Sequence, residues 1–194
     1  MLTTTSTILL QGLSDPANDA AWGEFVGRYF PVIVAFARKL GLDPDDAADS
    51  AQETLARFVR DYRAGKYDRE RGRLRSWIFA IARSCVADSQ RSSAARRQWR
   101  GESALADFPA EDTLAELWEA QWRAEILRQG IAELRETTKT DPQTVRVLEL
   151  LALEQRPAAE VAAQLEMTVG AVYVAKHRAL ERLRAIVLRL EEQW

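Results

Sequence analysis

Three groups of side chains in this sequence have the type and spacing to do chemistry, and all three suit binding better than catalysis. His177 is the only histidine and Cys85 the only cysteine, so no metal-ligand cluster and no Cys-His pair can be assembled, and no glycine-rich phosphate loop is written. Neither a metal nor a cofactor is expected. Near the C-terminus, Tyr173, Val174, His177 and Arg178 follow at helical spacing and could reach base edges or phosphates. In the middle, Lys66, Tyr67, Asp68, Arg71 and Arg73, followed by Arg83, Ser84, Asp88 and Arg91, mix cations and hydroxyls with an aromatic ring. Such a set suits the phosphates of a separated strand and a base taken out of its stack. Nearer the N-terminus, Asp46, Asp49 and Glu53 recur at three and four residues. Carboxylates so placed on a helix repel by roughly 0.2–0.5 kcal/mol per pair, a cost that a basic partner would relieve.

The charge distribution along the chain agrees with that division. The net charge is only −2, yet residues 1–56 carry 3 basic and 8 acidic side chains, 57–100 carry 13 and 4, 101–133 carry 2 and 8, and 134–194 carry 9 and 9. A basic block fenced by acidic blocks offers one surface to phosphate and leaves other surfaces to avoid it or to meet a basic partner. Solvated helix faces would give the same distribution, so charge alone leaves both readings open.

These side chains need elements to hold them, and the composition points to helices. With 47% hydrophobic and 29% charged residues the chain reads as globular rather than disordered. No apolar run approaches the roughly 20 residues of a membrane-spanning helix. The N-terminus lacks the basic start and small-residue cleavage site of a secretory signal, and a single cysteine suits a reducing compartment, so a cytoplasmic protein without membrane insertion is expected.

Asp15-Pro16, Asp43-Pro44 and Asp141-Pro142 each place a capping carboxylate before a proline, which marks three helix starts. The first helical stretch is expected over residues 16–40, broken at Pro31 and closed by Gly41. The second, over 44–62, lays Ala47, Ala51, Leu55, Phe58 and Tyr62 on one apolar stripe. Asp46, Asp49 and Glu53 fall on the opposite side of that helix, about 200° away. Residues 63–72 read as a loop, after which Leu74, Trp77, Ile78, Ile81 and Cys85 form another stripe, with Trp77 in the core. Residues 92–112 lose apolar periodicity and read as a linker. Beyond it, Leu114, Trp118, Trp122 and Ile126 recur every fourth residue, and a helix from Pro142 carries Val145, Leu148 and Ala152. The fold expected is all-α: two small helical domains, 1–91 and 113–194, joined by the linker 92–112.

The second domain contains a helix-turn-helix. PAAEVAAQL forms a short helix, Glu166-Met167-Thr168 a tight connection, and VGAVYVAKHRALERLR a long second helix. Val161, Ala162, Leu165, Val172, Ala179 and Leu183 can close a small core, and Thr168 can cap the long helix. Tyr173, Val174, His177 and Arg178 are then left facing outward on its N-terminal half, the part of a recognition helix that enters the major groove. An ordinary helical hairpin with a wet face has the same pattern.

Three segments taken together resemble the extracytoplasmic-function (ECF) sigma factors, the minimal sigma-70-type initiation factors of bacteria. DPDDAADSAQETLARFVRDY is similar to the family's polymerase-binding helix, RGRLRSWIFAIARSCVADSQRSSAARR to the helix that melts and reads the minus-ten element, and PAAEVAAQLEMTVGAVYVAKHRALERLR to the minus-thirty-five reader. The likeness runs over nearly the whole length. Ala48, Ser50 and Ala51 depart from the family's usual acidic and aliphatic residues, and Tyr173-Val174 stands where many members carry Lys or Arg with Ser.

What the resemblance implies is a bacterial transcription initiation factor that binds core RNA polymerase and directs it to promoter DNA, with catalysis left to the polymerase. Asp46, Asp49, Gln52 and Glu53 would meet the basic coiled coil of the largest polymerase subunit. Lys66, Tyr67, Arg71, Arg73, Arg83, Ser84, Asp88 and Arg91 would hold the minus-ten element. Thr168, Gly170, Ala171, Tyr173, Val174, Lys176, His177 and Arg178 would face the minus-thirty-five element. An anti-sigma factor or another protein regulator is a further partner the family implies. The alternatives are a free-standing helix-turn-helix regulator, against which the DDAADSAQE motif speaks, and a helical adaptor that binds only protein.

Overall fold

The computed structural model describes residues 5–15, 17–68, 70, 72–99, 108–136 and 141–193. Those residues form α1 (Thr5–Leu13), α2 (Asp19–Lys39), α3 (Pro44–Arg63), α4 (Leu74–Trp99), α5 (Glu111–Glu136), α6 (Pro142–Leu148), a π-helical turn (Glu149–Leu153), α7 (Ala158–Gln164) and α8 (Val169–Gln193), with no strand among them. They pack as two compact units, one ending at Glu125 and the other beginning at Ile126. None of the described helices is long and apolar enough to cross a membrane.

In the first unit, α2 starts later than expected. Pro16 lies outside the described residues, the Asp15 carboxylate accepts from the Ala17 amide at 2.9 Å, and the cap is Asn18, whose side chain accepts from the Ala21 amide at 3.1 Å. The expected break at Pro31 is absent: α2 continues through it. A proline in a helix removes the bond to the carbonyl four residues back. Here that carbonyl belongs to Gly27, which is exposed and has no neighbour within 4 Å of its would-be Cβ, so the helix absorbs the loss on its solvent side. The end at Gly41 is as expected. Gly41 sits at φ 88° and the Leu42 amide reaches back to the Ala37 carbonyl at 3.2 Å, a Schellman closure.

Helix α3 begins with Pro44 behind the Asp43 carboxylate, which accepts from the Asp46 amide at 2.8 Å. Ala47, Ala51, Leu55 and Phe58 are buried as the stripe requires, whereas Tyr62 is half-buried and donates its hydroxyl to the Leu10 carbonyl of α1 at 2.8 Å. Phe25 stacks on Phe58 with ring centroids 4.4 Å apart, and both are fully buried, each such ring contributing about 1.5–3 kcal/mol. Helix α4 buries Leu74, Ile78, Ala82, Cys85 and Val86, while Ile81 and Trp77 are half-buried. Burial pushes the Cys85 thiol above its usual range, so it behaves as a core residue and not as a nucleophile.

The segment 92–112 is helical at both ends. α4 runs through it to Trp99, residues 100–107 lie outside the described residues, and α5 starts at Glu111. Alanine and arginine favour a helix without any apolar stripe, and Ser93 is buried with its hydroxyl on the Asp46 carboxylate at 2.5 Å. Trp118 and Trp122, expected in the second domain, pack in the first unit: Trp118 lies edge-on to Phe36 at 5.6 Å, and Trp122 lies 5.7 Å from Tyr29. The packed units therefore divide inside α5, further along the chain than the segment 92–112.

In the second unit, α6 is capped by Asp141 and begins with Pro142. The π-helical turn that follows shifts the register, so Leu150 is buried and Ala152, expected on the apolar stripe, is exposed. Val147, Leu150, Val161, Ala162, Val172 and Ala175 form one apolar cluster, with Leu165 and Met167 packed against it. Leu134, Val145, Leu148, Ala179 and Leu183 form a second. Gly130 allows α5 to approach α8, since a Cβ there would lie 3.1 Å from Leu183 Cδ1.

Candidate functional site

The helix-turn-helix is built as its sequence requires. α7 ends in a second Schellman closure, the Met167 amide bonding to the Ala162 carbonyl at 2.9 Å. The residue in the left-handed position is Glu166 at φ 54°, where a side chain is strained by about 1–2 kcal/mol relative to glycine. The Thr168 hydroxyl then accepts from the Ala171 amide at 3.1 Å and starts α8. Val172, Ala175, Ala179 and Leu183 turn inward.

On the other side of α8, Tyr173 is 56% and Val174 51% exposed, and Gly170, His177 and Arg178 are exposed as well. Ala171 and Lys176 are half-buried at the margin of that face. His177 Nδ1 lies 3.7 Å from the Glu181 carboxylate, one turn on. The outward set therefore projects from the first three turns of a capped helix whose inner face is fixed by the core, the arrangement that presents side chains to a groove.

On α3, Asp49, Gln52 and Glu53 are exposed on the face away from Ala47, Ala51 and Leu55. Asp46 differs from them. It is half-buried, and the Ser93 hydroxyl of α4 donates to its Oδ2. Glu53 accepts from Arg57 Nε at 2.6 Å, which raises the affinity of that guanidinium for its proton, and Arg57 also reaches Asp88 Oδ2 at 3.5 Å. Asp88 in turn pairs with Arg91. The acidic face of α3 and the Asp88-Arg91 end of the basic group are thus joined by one guanidinium.

Between α3 and α4 the chain forms a hollow of about 360 Å³ lined by Lys66, Tyr67, Asp68, Gly72, Arg73, Ser76 and Trp77. Its wall is a stacked pair: Tyr67 and Trp77 have centroids 5.1 Å apart and planes at 21°. The Tyr67 hydroxyl donates to the Gly72 carbonyl at 3.3 Å, which holds the ring against the loop. Lys66 is anchored to Asp61 at 2.8 Å, and this hydrogen bond keeps the Asp61 carboxyl below its usual range. Asp68 Oδ1 accepts from the Glu70 amide at 2.9 Å, and Arg73 is exposed at the rim. Arg71 lies outside the described residues.

Trp77 is thus half core and half wall, because its other side meets Phe58 at 5.2 Å. Ser76 was not among the expected site residues, and nothing in its spacing marks it. Arg83, Ser84, Asp88 and Arg91 lie further along α4 and do not line this hollow. Ser84 is exposed, and Arg83 is half-buried and paired to Glu111 at 2.5 Å. Among the described residues no group of His, Cys, Asp and Glu could hold a metal ion.

Comparisons with known proteins find relatives for both parts of the chain. Sigma-70 region 2 matches residues 25–101, which take in most of α2 with α3 and α4, and Sigma-70, region 4 matches residues 141–183, which take in α6, α7 and the first part of α8. The ECF RNA polymerase sigma factor SigD of Mycobacterium tuberculosis is 32% identical over 82% of this chain and 70% of its own. The ECF RNA polymerase sigma factor RpoE of Cereibacter sphaeroides is 26% identical over 91% of each chain. Among solved structures, CnrH in complex with the cytosolic domain of CnrY is 23% identical, covering 94% of this chain and 97% of its own with a TM-score of 0.39. With both regions present in that order and a relative 32% identical over most of its length, the chain belongs to the ECF RNA polymerase sigma factors.

Proposed function

We propose that this sigma factor initiates transcription by joining core RNA polymerase through α3 and holding a promoter at two places, the minus-ten element on the α3–α4 loop with α4 and the minus-thirty-five element on α8. In functional terms residues 1–91 bind polymerase and melt DNA, 92–112 connect, and 113–194 read the upstream element. The observation that carries this reading is the pairing of a base-sized hollow with an aromatic wall in one unit and a capped helix with Tyr173, Val174, His177 and Arg178 outward in the other.

Each site asks for a different physical contact. Asp49, Gln52 and Glu53 offer carboxylates and an amide to a basic protein surface, with Asp46 serving mainly to dock α3 on α4. Tyr67, backed by Trp77, gives a stacking face to a flipped base, Lys66, Asp68 and Ser76 give polar partners to its edge, and Arg73, Ser84 and Arg91 give contacts to the strand. Thr168, Gly170, Ala171 and Lys176 bring α8 against the backbone, while Tyr173, Val174, His177 and Arg178 meet base edges. Bond making and breaking belong to the polymerase, so the chain is a regulatory subunit and not an enzyme, and it works in the cytoplasm where the polymerase is.

Permanganate footprinting of a promoter complex reconstituted with core polymerase tests this reading. Unpaired thymines near position minus ten that depend on this chain support it. A duplex that stays closed in the presence of both proteins overturns it.

A further inference from the structure

Arg75, Phe79 and Arg83 recur every fourth residue on α4, and one structural feature covers all three. Arg75 Nη2 lies 3.0 Å from Glu119 Oε1, with its guanidinium 5.0 Å from the centroid of the Trp122 ring. Arg83 Nη1 lies 2.5 Å from Glu111 Oε1, and Phe79 meets Trp118 at 5.7 Å. The covering residues, 111–125, carry five carboxylates and one arginine. Arginines interleaved with an aromatic ring are what a separated nucleic-acid strand binds, and the two carboxylates set against them, Glu111 and Glu119, take the place that phosphates would take.

We propose that residues 111–125 are an internal cover that competes with the melted strand for the Arg75-Phe79-Arg83 strip of α4. Arg75 and Phe79 are then part of the strand-binding surface, and they become available only when the cover leaves. The proposal rests on the reading of α4 as the minus-ten helix.

Two features suit a cover that can leave. The Trp118 indole Nε1 is buried with no hydrogen-bond partner among the described residues, so the packing carries an uncompensated desolvation cost. The ion pairs are also wet: the Glu111 side chain is 73% exposed and that of Glu119 36%. Pairs of that kind are weak and screened by salt, so a polyanion can displace them.

The test uses the full chain without polymerase and a fluorescein-labelled pool of mixed-sequence single-stranded oligonucleotides, with affinity read by anisotropy at low salt. The variant Glu111→Gln/Glu119→Gln keeps the shape of the cover and removes both ion pairs. The control Glu116→Gln/Glu136→Gln removes the same charge from exposed positions of the same helix. The cover variant is expected to bind about 3- to 10-fold more tightly than wild type and the control less than 2-fold. Adding Arg75→Ala to the cover variant should cancel most of the gain. Equal gains for cover and control would overturn the proposal, because the effect would then be net charge alone. No gain in either, with helicity intact by circular dichroism, would overturn it as well. Failure of the underlying reading has a separate sign: Arg83→Ala and Ser84→Ala would initiate normally with polymerase, whatever the free chain does.

Discussion

Tyr67 and Trp77 stand face to face, 5.1 Å apart and 21° from parallel, at the wall of a hollow large enough for a nucleobase, and Trp77 passes the contact on to Phe58 in the core. A loop side chain that would otherwise wander is therefore backed by the packed interior. In the proposed minus-ten role, such backing would spare a stacking base the cost of first ordering the loop.

Tyr67→Ala should accordingly weaken the promoter complex and leave the fold intact. Stacking on an aromatic ring is worth about 1–3 kcal/mol per base, so open-complex stability should drop roughly 5- to 150-fold. Trp77→Ala should impair both properties, because it also removes a neighbour of Phe58. Open-complex lifetimes and thermal unfolding of the two variants separate these outcomes. A Tyr67→Ala variant with wild-type lifetimes would show that the hollow does not hold a base.

The helix-turn-helix is the most legible part of the sequence, and the reason is local. Thr168 as a cap, Val172, Ala179 and Leu183 as an inner stripe, and Tyr173 and Val174 outside are all set within a few turns of one helix, where spacing decides direction. Less legible were features that depend on distant partners. Asp46 follows the same spacing as Asp49, yet its hydroxyl donor, Ser93, is 47 residues away. Arg83 reads as an open cation until Glu111 is seen beside it. Trp118 and Trp122 lie on an evident stripe, but the stripe does not say which rings it meets. Pro31 does not break α2 as a proline is expected to, and Ala152 leaves its apolar stripe, because one exposed glycine and one π-helical turn override rules that hold for regular helices.

Alanine at Tyr173, His177 and Arg178 together should abolish discrimination of the upstream element. Each lost base contact costs about 1–3 kcal/mol. All three residues are exposed, so unfolding of the protein should not change. Competition between the cognate promoter and one with a scrambled minus-thirty-five element measures this directly. Unchanged preference in the triple variant would remove α8 as the reader.

Acid should weaken the second unit through Glu149. Burial pushes its carboxyl up, but hydrogen bonds from Arg135 at 2.7 Å and Arg146 at 3.0 Å outweigh that and hold it below its usual range. A carboxylate depressed in the folded state stabilises at pH above its unfolded value, and that contribution is lost as pH falls through the folded value. Stability against urea should therefore decline as pH drops below about 4.3, the ordinary glutamate value. Glu149→Gln should be less stable than wild type at pH 7 and show a flatter decline over that acid range. Parallel curves for the two proteins would contradict the assignment.

Reversing Asp49 and Glu53 to lysine should leave the helix content and unfolding of the protein nearly unchanged, since exposed substitutions usually shift stability by within about 0.5 kcal/mol. Association with core polymerase should fall sharply, and most at low salt, where screening extends to about 30 Å in 0.01 M salt. Asp46→Ala should act differently, by removing the acceptor of the Ser93 hydroxyl and loosening the α3–α4 contact. Pull-down of core polymerase beside circular dichroism distinguishes the two.

As a sigma factor, this chain is expected to program core polymerase to start at particular promoters. Run-off transcription from a promoter library, with purified core polymerase and with or without the chain, measures this. Defined transcripts should appear only with the chain and vanish with the Asp49→Lys/Glu53→Lys variant. A transcript set identical with and without the chain, from a core preparation that answers to another sigma factor, would contradict it.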